Sequence, residues 1–354
     1  MVILMKKPVI ISVFTLFLFT GFAAAKEKIE FSGYGAAGYL FIDRNPLTDA
    51  NQPTYYMGKL QADIEINDEI EAQLDLRGNS ATDNITLREF SAKFKYMDYI
   101  HFKAGNIKRP FGQEYMISRE DLLSINRSAV QNNISLMGYS VRSVSMMVYY
   151  NYSKKRPDFP YSYALSIFKD NSLGSGAALR GLYHINDLSF GFNYLFQNIS
   201  GNYPVSAHGI EIEGAYSGEN SSISAELVYV QDPARSREIM AANEARAKEN
   251  LPPLDQNERV CSAGAVLTSA ISFDTDGRVI KKIEPLVLFS FFIPNSGQVD
   301  NHIIQCLAGV NFYFTKKVRF RLNADLRLTK SEYDESGKYA TNNSALTLEI
   351  QVRF

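Results

Sequence analysis

The chain has 354 residues, a formal net charge of −1, no tryptophan, and 21 tyrosines and 23 phenylalanines. A balanced charge does not support nucleic-acid binding, and four scattered histidines and two cysteines do not support a metal site or a disulfide framework. The sequence therefore indicates no cofactor, metal or catalytic residue, and Cys261 and Cys306 are predicted to stay unpaired.

Residues 1–25 have the pattern of a secretory signal peptide. Lys6 and Lys7 form a positive start, and Ala23 to Ala25 offer a small-residue cleavage site. Between them lies an apolar run of about 14 residues, shorter than the ~20 that a membrane-spanning helix needs. This pattern predicts export and cleavage, with a mature chain that begins near Lys26.

The stretch "GYGAAG" at residues 33–38 has the G-x-G-x-x-G spacing of dinucleotide-binding turns. Such a turn needs a helix start after the glycines and an acid about 20 residues further on, whereas here "YLFID" follows without any helical pattern. We therefore predict the first strand of a barrel, with small residues that allow close approach of a neighbouring protomer or an inward loop. One face of that strand carries Phe31, Gly33, Gly35, Ala37, Tyr39 and Phe41.

Strands with one apolar and one polar face recur downstream. The stretches "KLQADIEI", "EIEAQLDLR", "EFSAKFKY", "VRFRLNADLRL" and "LTLEIQVRF" all alternate with a period of two. We count about sixteen strands and no alternating helices, which excludes a βαβ fold. Short turns are predicted at 67–68, 97–98, 186–187, 219–220 and 315–317, and longer connections at 43–53, 78–84, 105–138, 170–177, 198–206 and 231–258, the last with a helical middle.

Two architectures accommodate many amphipathic strands. A soluble sandwich buries its apolar faces in a core, and an exported binding or adhesion module of this kind remains an alternative. A transmembrane barrel turns them to lipid and its charged faces to a wet lumen. Densely charged polar faces, aromatic residues near strand ends and the alternation of short and long connections favour an antiparallel barrel over residues 26–354, in contact with outer-membrane lipid.

The segment after the strand "YIHFKAG" carries the most specific motif. It reads Lys108-Arg109-Pro110-Phe111-Gly112 and Glu114, then Ser118, Asp121-Leu122 and Arg127-Ser128. With these residues the chain resembles the phosphate-selective porin family (the porin O and porin P type), from Tyr55 to Ala129. The resemblance implies a sixteen-stranded, homotrimeric outer-membrane channel whose third long loop, 106–138, folds into the lumen as a constriction. The terminal Phe354 looks like an assembly signal of such barrels.

Cationic side chains in a constriction select anions, and arginine matches the oxygen geometry of phosphate or carboxylate. The predicted function is a passive channel for small hydrophilic solutes, with phosphate-like inorganic or organic anions as the expected class. Glu114, Pro110 and Gly112 are predicted to fix the loop to the wall, Glu114 by pairing with Arg127. The predicted cations are Lys108, Arg109, Arg119 and Arg127 in the loop and Arg319, Arg321, Arg327 and Arg353 on the last two strands.

Two other functions remain open at this point. The inward faces also carry acids that could pair with the cations and leave a weakly selective general porin: Asp63, Glu65, Glu71, Asp75, Glu89, Glu211, Glu213 and Glu226. A barrel hydrolase would need a nucleophile activated by a neighbouring base. Ser206 and His208 are the nearest match, but no third group orients them.

Overall fold

The computed structural model describes residues 28–42, 54–80, 83–95, 97–151, 159–170, 174–254, 259–297, 301–329 and 344–354. The predicted signal peptide and the connection 43–53 lie outside these residues. No helix in the described ranges is long and apolar enough to cross a membrane.

One antiparallel sheet closes on itself, because β1 pairs with β2 on one side and with β17 on the other. Sixteen of the described strands are long, and the two-residue β13 extends the pairing with β14 beyond the end of β12. This confirms the predicted sixteen-stranded, all-β barrel. The strands are β1 Lys28–Ile42, β2 Thr54–Glu65, β3 Ile70–Asn79, β4 Asn84–Phe94, β5 His101–Lys108, β6 Arg142–Tyr150, β7 Tyr161–Asp170, β8 Gly174–Ile185, β9 Leu188–Ile199, β10 Val205–Ser217, β11 Ser221–Gln231, β12 Cys261–Ile271, β13 Phe273–Asp274, β14 Lys282–Ile293, β15 Ile303–Tyr313, β16 Val318–Thr329 and β17 Ala345–Arg353.

The apolar faces of the strands point outward. In β11, Leu227 and Tyr229 are exposed, whereas Glu226 and Val228 are buried towards the lumen. The "GYGAAG" strand is β1, with Phe31 exposed and Tyr34 buried. An outward apolar face and a closed sheet without unpaired edges are the arrangement that a lipid environment requires.

The predicted short turns are present, but two predicted long connections are shorter than expected. Asn186, with a φ of 52°, begins the tight turn between β8 and β9. Strand β8 already begins at Gly174 and β4 at Asn84, because Ser175 pairs with Asn198 and Gly78 with Ile85. Residues 174–177 of the predicted connection 170–177 are therefore strand, as are Gly78, Asn79 and Asn84 of the predicted connection 78–84.

A β-bulge interrupts the pairing of β3 with β4 at Arg88. Asp75 pairs with Glu89 and Leu76 with Leu87, so Arg88 has no partner in the register. Strict alternation from the buried Glu89 would turn Leu87 and Ile85 into the lumen, yet the two are 50% and 77% exposed on the outer face. The extra residue of a bulge resets the alternation, and it keeps these two apolar side chains on the lipid side.

The longest connections carry helices. Strand β5 continues to Lys108, which pairs with Arg142, so the third long loop spans 109–141 rather than the predicted 106–138. It contains helices α1 (Gln113–Met116) and α2 (Ala129–Leu136) and a 3-10 turn (Arg119–Asp121). The connection after β11 holds helix α3 (Pro233–Lys248), as predicted, and the Asp232 side chain caps it by accepting from Arg235 N at 3.0 Å.

Candidate functional site

Loop 109–141 packs against the inner wall of the barrel through an apolar core. Helix α2 buries Val130 and Ile134 against inward side chains of strands β7 to β9, β11, β12, β14 and β15. Polar wall residues cap its start, since Gln305 Oε1 accepts from Ala129 N at 2.6 Å and Ser290 Oγ from Val130 N at 3.3 Å. The wall side of this core contains Phe168, Ala178, Leu195, Val228, Val230, Val266, Ala270, Leu286, Leu288, Phe292, Ile303 and Leu307. This part of the lumen is therefore filled by protein.

Two buried glutamates of the wall hold the start of the loop. Glu211 accepts from Gly112 N at 2.6 Å and from Gln113 N at 2.7 Å, and Glu226 accepts from Glu114 N at 3.2 Å. Gly112 has a φ of 90°, a conformation that favours glycine. Carboxylates at the amino end of helix α1 satisfy backbone N–H groups that have no partner within the helix. The predicted fixing role of Gly112 thus corresponds to a bond from its backbone.

The predicted pair of Glu114 with Arg127 has a different geometry. The Glu114 carboxylate accepts from Ser128 N at 3.0 Å and from Ser128 Oγ at 2.6 Å. Arg127 donates to the backbone carbonyl of Glu114, and to that of Ile117 at 2.8 Å. Burial raises the pKa of the Glu114 carboxyl, against the opposing effects of Arg127 and of the Ser128 bonds. Both residues shape the loop through its own backbone.

Three arginines of the last two strands contact the loop. Arg319 donates to Glu120 O at 2.7 Å, and Arg321 to Leu122 O and Ser124 O at 3.3 and 3.1 Å. Three further contacts complete this side: Arg353 pairs with Asp121 at 2.7 Å, Arg327 with Asp325 at 3.0 Å, and Gln351 donates to Glu120 O at 3.4 Å. In the structure Arg319, Arg321 and Arg353 support segment 120–124 of the loop.

The predicted loop cations lie in different surroundings. Arg109 is fully buried, donates to Gly138 O at 2.6 Å and Ser143 Oγ at 3.1 Å, and stacks on the Phe168 ring. Arg109 N also makes the last ladder-like bond, to Val141 O at 2.9 Å, before the buried Pro110 ends the pairing. Arg109 therefore anchors the loop and is shielded from a passing solute.

Lys108 and Arg119 remain nearer to open space. Lys108 is the last residue of β5 and donates to Tyr115 O at 2.7 Å and to Met116 O at 3.2 Å. Arg119 is half-buried and donates to Asn126 Oδ1 at 3.3 Å. Neighbouring Glu120 accepts from Lys59 at 2.7 Å. Burial would raise the pKa of Glu120, but the bond from Lys59 lowers it below its ordinary value.

An open pocket of about 170 Å³ separates the loop from the wall formed by β2 to β6. We call it the basic pocket, because five cations and only two acids line it. Glu89 serves two of these cations, Lys103 at 2.5 Å and Arg142 at 3.4 Å, while Asp75 pairs with Arg77 at 3.3 Å. The lining residues are Lys59, Gln61, Gln73, Asp75, Arg77, Glu89, Lys103, Lys108, Met116, Ser118 and Arg142.

A second cavity, of about 670 Å³, lies beside the loop near the short turns. Its lining includes Glu213, paired with Arg180 at 2.8 Å, and the turn residue Lys317. Met116 and Ser118 line both this cavity and the basic pocket. Loop segment 116–118 is therefore the boundary between the two open spaces of the lumen.

Sequence reasoning did not assign the basic pocket as a site. The alternation places Lys59, Arg77 and Lys103 on inward faces opposite the acids but does not group them into a site, and it does not single out Arg142. Each of the first three stands on the polar face of an alternating strand, so the signal was present. The missing information was which strands the loop leaves uncovered.

Removing the Glu211 carboxylate is expected to loosen the loop. In Glu211→Ala, two backbone N–H groups lose a charged acceptor, and bonds of this kind contribute about 1.5–3 kcal/mol each. We expect larger fluctuations of the open-channel current in planar bilayers, with the barrel still folded. The control is Glu219→Ala, which removes a carboxylate from the β10–β11 turn. Identical current noise in the two variants would contradict the anchoring role.

The candidate hydrolase pair faces away from the lumen. Ser206 and His208 are exposed on the outer face of β10, where His208 Nδ1 and the Tyr194 hydroxyl are 2.7 Å apart. Cys261 and Cys306 are both unpaired. Among the described residues, no group of three or more His, Cys, Asp or Glu side chains could hold a metal ion.

No protein-family model and no curated protein matches the sequence, but solved structures match the fold. An anion-selective porin from Comamonas acidovorans aligns with a TM-score of 0.65 and 11% identity, over 93% of this chain and 100% of that one. Salmonella typhi OmpF, in complex with daunomycin, aligns with a TM-score of 0.62 and 15% identity, over 93% of this chain and 98% of that one. The outer-membrane channel DcaP of Acinetobacter baumannii aligns with a TM-score of 0.60 and 10% identity, over 93% of this chain and 97% of that one. The chain therefore has the fold of an outer-membrane porin.

Proposed function

We propose that this protein is a passive outer-membrane porin for small hydrophilic anions, exported with a cleaved signal peptide. The observation that carries the proposal is the excess of cations over acids in the basic pocket, the open space between the loop and β2 to β6. A confined region lined by lysine and arginine lowers the energy of an anion relative to a cation. Phosphate and carboxylates are the solutes that the resemblance and the arginine chemistry favour.

A weakly selective general porin is the second candidate, and the pairing of charges favours it. Lys59, Lys103, Arg77 and Arg142 all have acidic partners. One acid for each cation would cancel most of the positive electrostatic potential in the basic pocket. Glu89 is shared by two cations, however, so the positive charge there is not fully neutralised. The two candidates differ in the sign and size of the charge selectivity.

We also propose a homotrimer. One solved neighbour, OmpT of Vibrio cholerae, is described in a trimer form, with a TM-score of 0.56 and 11% identity. The middle of the outer face of β1, at Gly35 and Ala37, has little side-chain bulk and would allow close contact with another barrel. Crosslinking of the protein in native membranes, followed by electrophoresis, tests this assembly.

Purified protein in planar bilayers with a potassium chloride gradient tests the function. We expect stepwise conductance and a reversal potential whose sign corresponds to chloride permeation. A reversal potential near zero would support the weakly selective porin instead. Absence of conductance steps from folded, heat-modifiable protein would contradict a channel of either kind.

A further inference from the structure

Arg88 lies in the bulge between β3 and β4, and the bulge determines where its side chain points. Its charged neighbours are Arg142, Arg77 and Asp75, all of them lining residues of the basic pocket. The side chain is exposed, while the flanking Leu87 occupies the outer face. Arg88 therefore extends into the lumen beside the basic pocket, from a position that simple alternation assigns to lipid.

The bulge is supported from the next strand. Asn106 Nδ2 donates to Arg88 O at 2.9 Å, and this bond satisfies a carbonyl that the irregular pairing leaves out of the ladder. Gly105 beside it has a φ of 138°, and a Cβ there would collide with the Phe90 carbonyl. The position of Arg88 thus depends on the local backbone of two strands.

The guanidinium of Arg88 differs from the charged groups of its cationic neighbours in its contacts. The five cations of the basic pocket donate to a carboxylate or to loop carbonyls. Within the described residues, the Arg88 guanidinium makes no hydrogen bond or ion pair. The nearby acids, Asp75 and Glu89, are already engaged by Arg77, Lys103 and Arg142. The donor fork of Arg88 is therefore available to a solute.

We propose that Arg88 is the selectivity-determining contact of the passage and binds oxyanions such as inorganic phosphate or a carboxylate. Its planar fork can donate two parallel hydrogen bonds to two oxygens of one anion, which a lysine cannot do. Arg142 and Arg77 add positive charge at the same place, and their own partners keep them in position. This inference rests on the proposed function, since it names the residue that discriminates among permeating ions.

The test compares Arg88→Gln with the unmodified protein in bilayers. At about 0.1 M salt, where the Debye length is about 10 Å, we expect the anion-to-cation permeability ratio to fall by about 10- to 25-fold. One unit charge about 4 Å from an ion in water changes occupancy by up to about fivefold, and it does so in opposite directions for anion and cation. Block of the chloride current by inorganic phosphate should weaken as well. The charge-matched control is Lys169→Gln, which removes a lysine from the outer face of β7 and should leave both quantities unchanged.

Two further variants separate charge from geometry. Arg88→Lys keeps the charge, so it should retain chloride selectivity while phosphate block weakens. Asn106→Ala leaves every charge in place but removes the support of the bulge, so a partial loss of phosphate block is expected. If the unmodified channel selects anions but Arg88→Gln changes neither the reversal potential nor the phosphate block, this inference is wrong while the proposed function stands. Wild-type protein without conductance would remove the proposed function and this inference together.

Discussion

Ile134→Asp is expected to detach helix α2 from the wall and to raise the single-channel conductance. Ile134 is fully buried in the apolar core that joins the loop to seven strands. Loss of a buried Ile costs about 2–5 kcal/mol, and burial of an unpaired carboxylate adds to that cost. At about 1.4 kcal/mol for each tenfold change in an equilibrium constant, the ratio of docked to undocked helix falls by about 30-fold or more. In the undocked state the volume that the helix occupied opens to ions.

The same helix offers a matched control. Leu136 is 66% exposed, two residues further along α2. Leu136→Asp places the same charge in the same loop without disturbing the core, and its conductance should stay close to that of the unmodified protein. Equal conductance of Ile134→Asp and the unmodified protein would mean that the apolar core does not hold the loop.

Arg321→Ala is expected to cause the largest loss of barrel stability among single substitutions of the predicted arginines. Arg321 is 1% exposed, forms a buried pair with Glu349, and donates to two loop carbonyls. Among the described residues, its removal leaves the buried Glu349 carboxylate with the Tyr55 hydroxyl, at 2.9 Å, as its remaining side-chain donor. Removal of one partner from a buried ion pair costs about 3–5 kcal/mol. We expect a lower temperature for the gel-mobility shift that accompanies unfolding of the barrel.

Two comparisons test the physical origin of that loss. Arg353→Ala removes an arginine from the more exposed pair with Asp121, and such pairs contribute about 0.2–1 kcal/mol. The double variant Arg321→Met with Glu349→Leu removes both buried charges, so it should regain much of the lost stability. An Arg321→Ala protein as heat-stable as Arg353→Ala would show that the buried pair is not critical.

Most of the fold could be predicted from alternation alone. In β16, Phe320 and Leu322 alternate with Arg319 and Arg321, and this period of two determines both the strand and its inward face. The bulge at Arg88 could not be predicted in the same way. The inward–outward alternation shifts by one residue between Leu87 and Glu89. This shift can be recognised only when the outward positions of the neighbouring strands are known.

The candidate site was harder to predict, because the roles of its cations depend on distant parts of the chain. Arg109 and Lys108 are adjacent in sequence, yet one contacts Gln197 in a buried cluster and the other lines the basic pocket. Arg319 and Arg321 lie on the inward face and bind side chains of β17, but each also donates to main-chain oxygens of the loop. The pattern of side chains in a sequence does not indicate which backbone carbonyls of a folded loop are free to accept hydrogen bonds.

The apolar core under helix α2 also divides the barrel into two regions with different tolerance to mutation. Inward residues of β7 to β9, β11, β12, β14 and β15 that contact the loop are subject to the volume constraints of a globular interior. Inward residues of β2 to β6 that line the basic pocket border open space, so their size can change without creating a cavity. A wider or differently charged nanopore should therefore be engineered from β2 to β6, and random libraries should yield folded variants mainly there.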